Sequence, residues 1–362
     1  MTKEQPLYKQ IQEKIKEQIR LGVLRPGDRV GSEKELSKLY RVSQITTKNA
    51  LIGLAEEGWV ERIQGKGTFV SLQWDHVRLP PAHPMIIGVI FPSMKTRIDQ
   101  QLLNYIEKYA YEEGFQILLR ITRESVERET EAIRQLLDFG VKGLIIFPTE
   151  AENYNETIIQ LAFDKFPVVL VDRFFKNIRM ASVTSDNVQG TFDAIDYLLS
   201  IGHRHIAYIS PEITNSVTED RAAGYEKAFL KHHFPIDKTL WCTLDLHVLQ
   251  QNQAKRKIAD FLRDKEHITA IFTVNVQLAN NVYEYLSDRH LLDQIELVTF
   301  DNPEFPGVSY VAQNTEEISR KTVELLKNQL NGQDSPQHHL EPVKLYLKDR
   351  KKISAVLMQE QQ

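Results

Sequence analysis

The chain has 362 residues, 42% apolar and 26% charged, the make-up of an ordinary soluble globular protein of two to three domains. It has no run of eighteen apolar residues and no apolar segment behind Met1, which argues against a membrane span or a secretory leader and for a cytoplasmic protein; its one cysteine, Cys242, excludes an intrachain disulfide framework and a cysteine zinc site. The net charge of −4 speaks against a nucleic-acid binder, yet residues 1–72 hold 13 Lys and Arg against 9 Asp and Glu, a net of +4 that leaves −8 on the rest, so a polyanion partner would suit the head alone.

In chain order, Leu7, Ile11, Ile15 and Ile19 recur every four residues and predict a helix from Pro6 to Leu21, ended by Gly22 and the turn Pro26-Gly27-Asp28. Ser32 and Glu35 form a capping-box pattern ahead of Leu36 and Leu39, and Ser43 is the N-cap of a third helix carrying Ala50, Leu51 and Leu54, closed by Gly58. Trp59–Ile63 alternates as a strand, Gln64-Gly65-Lys66-Gly67 turns, and Thr68-Phe69-Val70 returns. Three helices and a hairpin predict a winged helix-turn-helix over residues 1–72.

Residues 73–85, with Pro80, Pro81 and Pro84, read as a linker. From Ile86, strand-length apolar runs recur at Ile86–Phe91, Gln116–Leu119, Gly143–Phe147, Val168–Val171, His205–Ile209, Ala270–Thr273 and Leu297–Phe300, separated by helical patterns or short turns. Buried strands alternating with helices imply doubly wound parallel sheets, and residues 86–358 exceed one α/β core, so two lobes are expected. No internal repeat is visible in the sequence.

A recognition helix must present polar side chains at its N-terminal end to base edges in a groove about 12 Å wide. Ser43, Gln44, Thr46, Thr47 and Lys48 supply them, and the wing tip Gly65-Lys66-Gly67-Thr68 lets backbone and a cation approach phosphate or the minor groove. The plainer alternative is a solvated helix and turn of a generic three-helix module. In the body, ligands of doubly wound sheets sit at the carboxyl ends of strands. That rule selects Ser93 to Arg97, Thr122, Arg123, Thr149, Asp172, Arg173, Asp186, Asn187, Asn275 and Asp301. Asp, Asn and Arg are the planar partners that a hydroxyl-rich ligand needs, usually with an aromatic ring to stack on. Asp172 could instead cap a helix or turn, while His203 and His205 fit a turn-to-strand junction better than a metal pair. His338, His339 and the lysines of 348–352 read as solvated surface or flanks of a final strand.

Two resemblances add to this reading. Pro26-Gly27-Asp28-Arg29-Val30, Ser32-Glu33-Lys34-Glu35-Leu36, Val42-Ser43 and Gly65-Lys66-Gly67-Thr68-Phe69-Val70 resemble the motifs of the GntR family of bacterial regulators over residues 6–70. That resemblance implies DNA contacts at Lys34, Ser43, Gln44, Thr46, Lys48, Gly65 and Lys66. Gln44 stands where the family usually has arginine, and Lys34 and Lys48 also replace arginines, which implies a different operator sequence. Over residues 86–350, Ile87-Gly88-Val89-Ile90, Val171-Asp172-Arg173, Asp186-Asn187 with Gly190, Gly202-His203-Arg204-His205-Ile206, Arg221-Ala222-Ala223-Gly224-Tyr225, Asn275 and Phe300-Asp301-Asn302 resemble the periplasmic-binding-protein-like sensor of LacI/GalR regulators.

The second resemblance implies that Arg221 holds ligand hydroxyls or a carboxylate and that Asp301 sits at the cleft. Val276 replaces an aspartate that grips sugar hydroxyls in that family; with Arg97, Arg120, Arg123 and Arg173 nearby, a sugar acid or sugar phosphate gains weight beside a simple sugar. The combination is similar to the arabinose-responsive AraR-like repressors. It implies a homodimer that places two heads on operator half-sites and is released by a small sugar-type effector, with ligand-dependent activation as the alternative. No cofactor, metal or membrane partner is implied. No phosphate-binding loop, dinucleotide fingerprint, nucleophile elbow or zinc motif supports an enzyme. A transport binding protein would need a leader and would leave the basic head unexplained.

Overall fold

The computed structural model describes residues 6–20, 22–63, 65–72, 85–150, 154–245, 248–249, 253–333 and 337–348. The predicted linker falls almost wholly on 73–84, outside the described residues, as do Lys351 and Lys352 of the tail. Contacts divide the chain into two units, one up to Met85 and the other from Ile86.

The first unit contains α1 (Leu7–Arg20), α2 (Glu33–Tyr40), α3 (Gln44–Glu56), β1 (Val60–Ile63) and β2 (Gly67–Val70). Sequence-local signals set its boundaries. Ser32 and Glu35 close the capping box on α2, Arg41 ends that helix in the left-handed region at φ 54°, and the Ser43 hydroxyl caps α3 by accepting from the Thr46 N–H. β1 and β2 pair antiparallel from Val60↔Val70 to Ile63↔Gly67, and the positive φ of Gly65 and Gly67 makes the tight reversal. Ile11, Ile15 and Ile19 bury against Leu36, Leu51, Leu54, Trp59 and Val70. Two residues expected on the buried faces lie outside that core: Leu7, at the open end of α1, is 57% exposed, and Leu39 is 68% exposed.

The second unit has two lobes. The first lobe's sheet consists of β3 (Met85–Phe91), β4 (Phe115–Ile121), β5 (Leu144–Ile146), β6 (Val168–Val171), β7 (Ala181–Ser185) and β13 (His338–Glu341), in the order β13-β7-β6-β5-β3-β4. The other sheet consists of β8 (Ile206–Pro211), β9 (Trp241–Leu244), β10 (Ala270–Thr273), β11 (Glu296–Phe300), β12 (Ser309–Ala312) and β14 (Lys344–Tyr346), in the order β14-β12-β11-β10-β8-β9. The two orders are the same once each strand is replaced by its counterpart, so the lobes repeat one topology that the sequence does not display. Antiparallel pairing of β14 with β12 breaks the match, since β13 runs parallel to β7. His338 and His339 are therefore members of a sheet strand, not flanks of one.

Helices cover the sheets. In the first lobe these are α4 (Arg97–Glu112), α5 (Val126–Phe139), α6 (Glu156–Phe163) and, from late in the chain, α11 (Thr315–Leu330); in the second they are α7 (Asn187–Ser200), α8 (Ser216–Lys231), α9 (Ala254–Arg263) and α10 (Val276–Asp288). Ile318, Val323 and Leu326 of α11 pack with Leu102 and Ile106 of α4 on the first sheet. The chain crosses between lobes after Ser185, after Ala312 and after Glu341. Two crossings are tied together: Ser185 Oγ donates to Gln313 Oε1 at 2.6 Å. Within the second lobe α8 presses onto α7 because Gly224 has no side chain; a Cβ there would stand 2.4 Å from the Val188 carbonyl oxygen.

Candidate nucleic-acid interface and ligand cleft

In the first unit, Glu33 is the joint that gathers the candidate DNA-facing residues. Its carbonyl accepts from Thr47 Oγ1 at 2.9 Å and its carboxylate from Arg62 Nη2 at 2.7 Å, which brings the start of α2, the first turns of α3 and the hairpin together. Basic residues of this unit then fall into two sets. Lys16 pairs with Glu57 and Glu13, Arg29 with Glu35 and Arg62 with Glu33. Lys9, Lys14, Arg25, Lys34, Lys38, Arg41, Lys48 and Lys66 are exposed and make no ion pair among the described residues, and Lys34, Lys48 and Lys66 lie on α2, α3 and the wing tip. Unpaired exposed cations are what a phosphate backbone requires.

The exposed face of α3 carries Gln44, Ile45, Lys48 and Asn49. Ser43 and Thr46 are hydrogen-bonded to each other at 2.8 Å and hold the helix start, while Gly65 and Lys66 sit exposed at the wing tip. Two of the expected contacts face the wrong way. Thr47 is fully buried with its hydroxyl spent on the Glu33 and Gln44 carbonyls, and Thr68 points into the unit at 5% exposure, its carbonyl bonded to the Val30 N–H. Helical and strand periodicity, not polarity, decides their direction. Ile45 was missed because it is apolar, and Asn49 because it lies more than a turn beyond the helix start; their spacing from the buried Thr47, Ala50 and Leu51 was the available signal.

In the second unit the carboxyl ends of both sheets face each other and bring together Asp172, Arg221, Asn275 and Asp301. Asp172 follows β6 and Asp301 follows β11, at equivalent places in the repeated topology. Both are left-handed, with φ 66° and 69°, and each donates its N–H to the neighbouring strand, at Val183 and Val311. Asp172 thus caps no helix, and its carboxyl group feels Arg173 and, from the opposing lobe, Arg221. Arg221, on α8, is only 5% exposed; its guanidinium lies 3.6 Å from the Phe300 ring centre, Nε donates to Asn187 Oδ1 at 2.9 Å and Nη1 donates to the Val274 carbonyl. Nη2 has no hydrogen-bond partner among the described residues. Asn275 caps α10 by accepting from the Leu278 N–H at 2.9 Å, and its amide NH2 makes no hydrogen bond among the described residues.

Burial raises the Asp172 carboxyl above its ordinary range although Arg173 and Arg221 oppose the shift. Burial likewise pushes Asp301 up to about 6, against the pull of Arg221 and of the Gln313 amide, which donates to its Oδ1 at 2.8 Å. Arg221 is lowered by burial, with Asp301 and Asp172 holding it charged. Asp99, 5% exposed and bonded to Ser93 at 2.5 Å, adds a third carboxylate field to the same centre. Arg221 and Arg173 thus face three carboxylates, and Arg173 also answers to Glu124 and Glu150, which leaves the centre short of positive charge.

Other expected ligand groups are already engaged. Arg97, on the rim, forms an ion pair with Glu304 of the opposite lobe and is more than half exposed. Arg173 donates to the Pro148 carbonyl at 2.7 Å, pairs with Glu124 and Glu150, and lies 5.0 Å from the Phe147 ring centre. Thr149 bonds Thr122 at 3.0 Å and donates its N–H to the buried Glu129. Further ties cross between the lobes: Asn215 to Glu150 at 2.7 Å, the Phe174 N–H to Ser216 Oγ at 3.0 Å, and Lys176 to Asp220 and Glu219 at 2.8 Å. A void of about 20 Å³ among Thr149, Arg173, Phe174, Asn215 and Ser216 has room for one water. The aromatic rings at the strand ends thus meet arginines, a use that the sequence could not show.

Cys242 is buried and its thiol is pushed up to about 11 by burial. His203 bonds Thr269 and His205 packs edge-on to His267 at the entrance to β8, a turn-to-strand junction; no group of three metal-capable side chains occurs among the described residues. No helix among the described residues is long and apolar enough to cross a membrane.

Comparison with known proteins agrees with both units. Residues 87–334 match the periplasmic binding protein domain model, and residues 7–70 match that of bacterial regulatory proteins of the gntR family. The chain is 27% identical to an arabinose metabolism transcriptional repressor of Geobacillus stearothermophilus over 328 residues, covering 86% of each protein. It is 26% identical to the repressor of the same description from Halalkalibacterium halodurans, covering 82% of this chain and 80% of that one. Among solved structures, transcription regulator CcpA of Lactococcus lactis superposes with a TM-score of 0.65 at 19% identity, over 73% of this chain and 98% of that one, a likeness of fold. The chain belongs to the periplasmic binding protein domain family and carries a gntR-family regulatory domain at its N-terminus.

Proposed function

We propose that this protein is a DNA-binding transcriptional repressor of carbohydrate-utilisation genes, working in the cytoplasm and released from its operator by a small sugar-type effector. The observation that carries the reading is the union in one chain of a gntR-type head bearing unpaired lysines with a two-lobed body that aims Arg221, Asp172 and Asp301 into one cleft. Lys34, Gln44, Lys48, Gly65 and Lys66 contact operator DNA, with Ser43 and Thr46 fixing the helix that carries Gln44 and Lys48. Two copies pair through their bodies and set two heads on half-sites about one helical turn apart.

The effector is an uncharged polyhydroxyl compound. Carboxylates and a planar guanidinium suit hydroxyl groups. A sugar acid or sugar phosphate would meet Asp99, Asp172 and Asp301, while Arg97 and Arg173 are already neutralised by Glu304, Glu124 and Glu150. The effector acts through its preference for one arrangement of the lobes and lowers operator affinity only by that difference. A thermal-shift screen of pentoses, hexoses, sugar phosphates and uronic acids, repeated on Arg221→Ala, tests the cleft. Stabilisation by a neutral sugar that the variant loses supports the reading; stabilisation by phosphates or acids alone overturns the effector class.

A further inference from the structure

The structure assigns Ile45 a role in choosing the DNA sequence: we propose that it reads the C5-methyl group of a thymine, so that the head selects half-sites with A·T pairs under the start of α3. The inference rests on the DNA-binding reading of the head. Ile45 is 72% exposed, an aliphatic side chain with no apolar cover, on the second residue of α3. Helical spacing puts Lys48 and Asn49 beside it and Gln44 next to it, while Thr47, Ala50, Leu51 and Leu54 occupy the buried face.

This neighbourhood favours DNA over an apolar protein partner. Ile45 is ringed by two amides and a lysine, and the exposed cations Lys34, Lys48 and Lys66 make no ion pair among the described residues. In the major groove an apolar side chain suits the thymine methyl group, and Gln or Asn pairs bidentately with adenine N6 and N7. Gln44, Ile45 and Asn49 therefore form one set directed at A·T pairs. Lys48, the one cation on this face of α3, serves a neighbouring phosphate.

The test uses the full chain and a randomised duplex library to select the preferred site. Thymines in that site are then replaced singly by deoxyuridine, which removes only the methyl group. For the wild type, one substitution per half-site is expected to weaken binding about fourfold, the worth of one buried methylene-sized group. Ile45→Ala is expected to melt like the wild type, to bind the thymine site more weakly and to be insensitive to that substitution. Tight, selective binding that no deoxyuridine affects, or equal sensitivity in Ile45→Ala, overturns the role of Ile45 and leaves DNA binding standing. A changed oligomeric state in Ile45→Ala with unchanged site selection overturns it in favour of a protein contact. Failure to bind any duplex at low salt overturns the DNA-binding reading itself.

Discussion

Arg221 Nε donates to Asn187 Oδ1 at 2.9 Å, so the guanidinium at the centre of the cleft is fastened to the first residue of α7, where the chain has just crossed from one lobe to the other. Asn187 is itself buried and its amide donates back to the Ser185 carbonyl at 3.1 Å. Binding site and crossing are thus one hydrogen-bonded unit. Asn187→Ala leaves a buried N–H of a charged group without its acceptor and is predicted to cost the body about 1–3 kcal/mol. Urea denaturation followed by tryptophan fluorescence, to which Trp241 contributes from its packing against Tyr208 in the second lobe, measures that loss.

Asp301 makes stability depend on pH in a known direction. Its folded pKa of about 6 lies above the ordinary 3.8, so the folded state binds the proton more tightly. This contribution is fully present below pH 3.8 and is lost as pH rises through about 6, each pH unit between those two values removing about 1.4 kcal/mol. Asp301→Asn removes the buried charge and keeps an acceptor for Gln313. Its melting temperature is predicted to exceed the wild type's at pH 8 and to converge with it toward pH 4; a constant offset across that range would contradict the assignment.

Lys176 joins the lobes through Glu219 and Asp220. Its replacement by glutamate sets like charges against each other across the cleft rim. A partly exposed pair is worth about 0.2–1 kcal/mol, so Lys176→Glu is predicted to weaken effector binding about 1.4- to 5-fold. Calorimetric titration reads that change, and small-angle scattering is expected to show a larger radius for the variant.

Thr47 and Lys48, adjacent in sequence, are predicted to fail differently. Thr47→Val removes the hydroxyl bonds to the Glu33 and Gln44 carbonyls and destabilises the head by about 1 kcal/mol. Lys48→Ala leaves the melting of the head unchanged. It is predicted to weaken DNA binding across sequences and to reduce the salt slope by about one. Anisotropy titrations at several salt concentrations, beside thermal melts, separate the two.

What the sequence determined by itself was local. Ser32 with Glu35, Ser43 ahead of α3, the Gly65 and Gly67 turn and the apolar runs of β3, β6, β10 and β11 act over a few residues, so their signals survive without knowledge of neighbours. The carboxyl-end rule also found Asp172, Asn275 and Asp301, because a strand's end can be read from the strand. β7, β9, β12, β13 and β14 were missed as strands: β7 and β12 are short and rich in Ser, Thr or Tyr, and β9, β13 and β14 are short edge strands placed by pairing with β8, β7 and β12.

Which charges remain free was decided only by the tertiary structure. Arg97 is neutralised by Glu304 and Arg173 by Glu124 and Glu150, whereas Lys34, Lys48 and Lys66 make no ion pair among the described residues. Thr47 and Thr68 are polar yet point inward, since the helix and the hairpin close over them. A side chain's availability depends on what folds against it from distant parts of the chain. The sequence states its chemistry, and packing decides whether that chemistry is spent inside the protein or offered to a ligand.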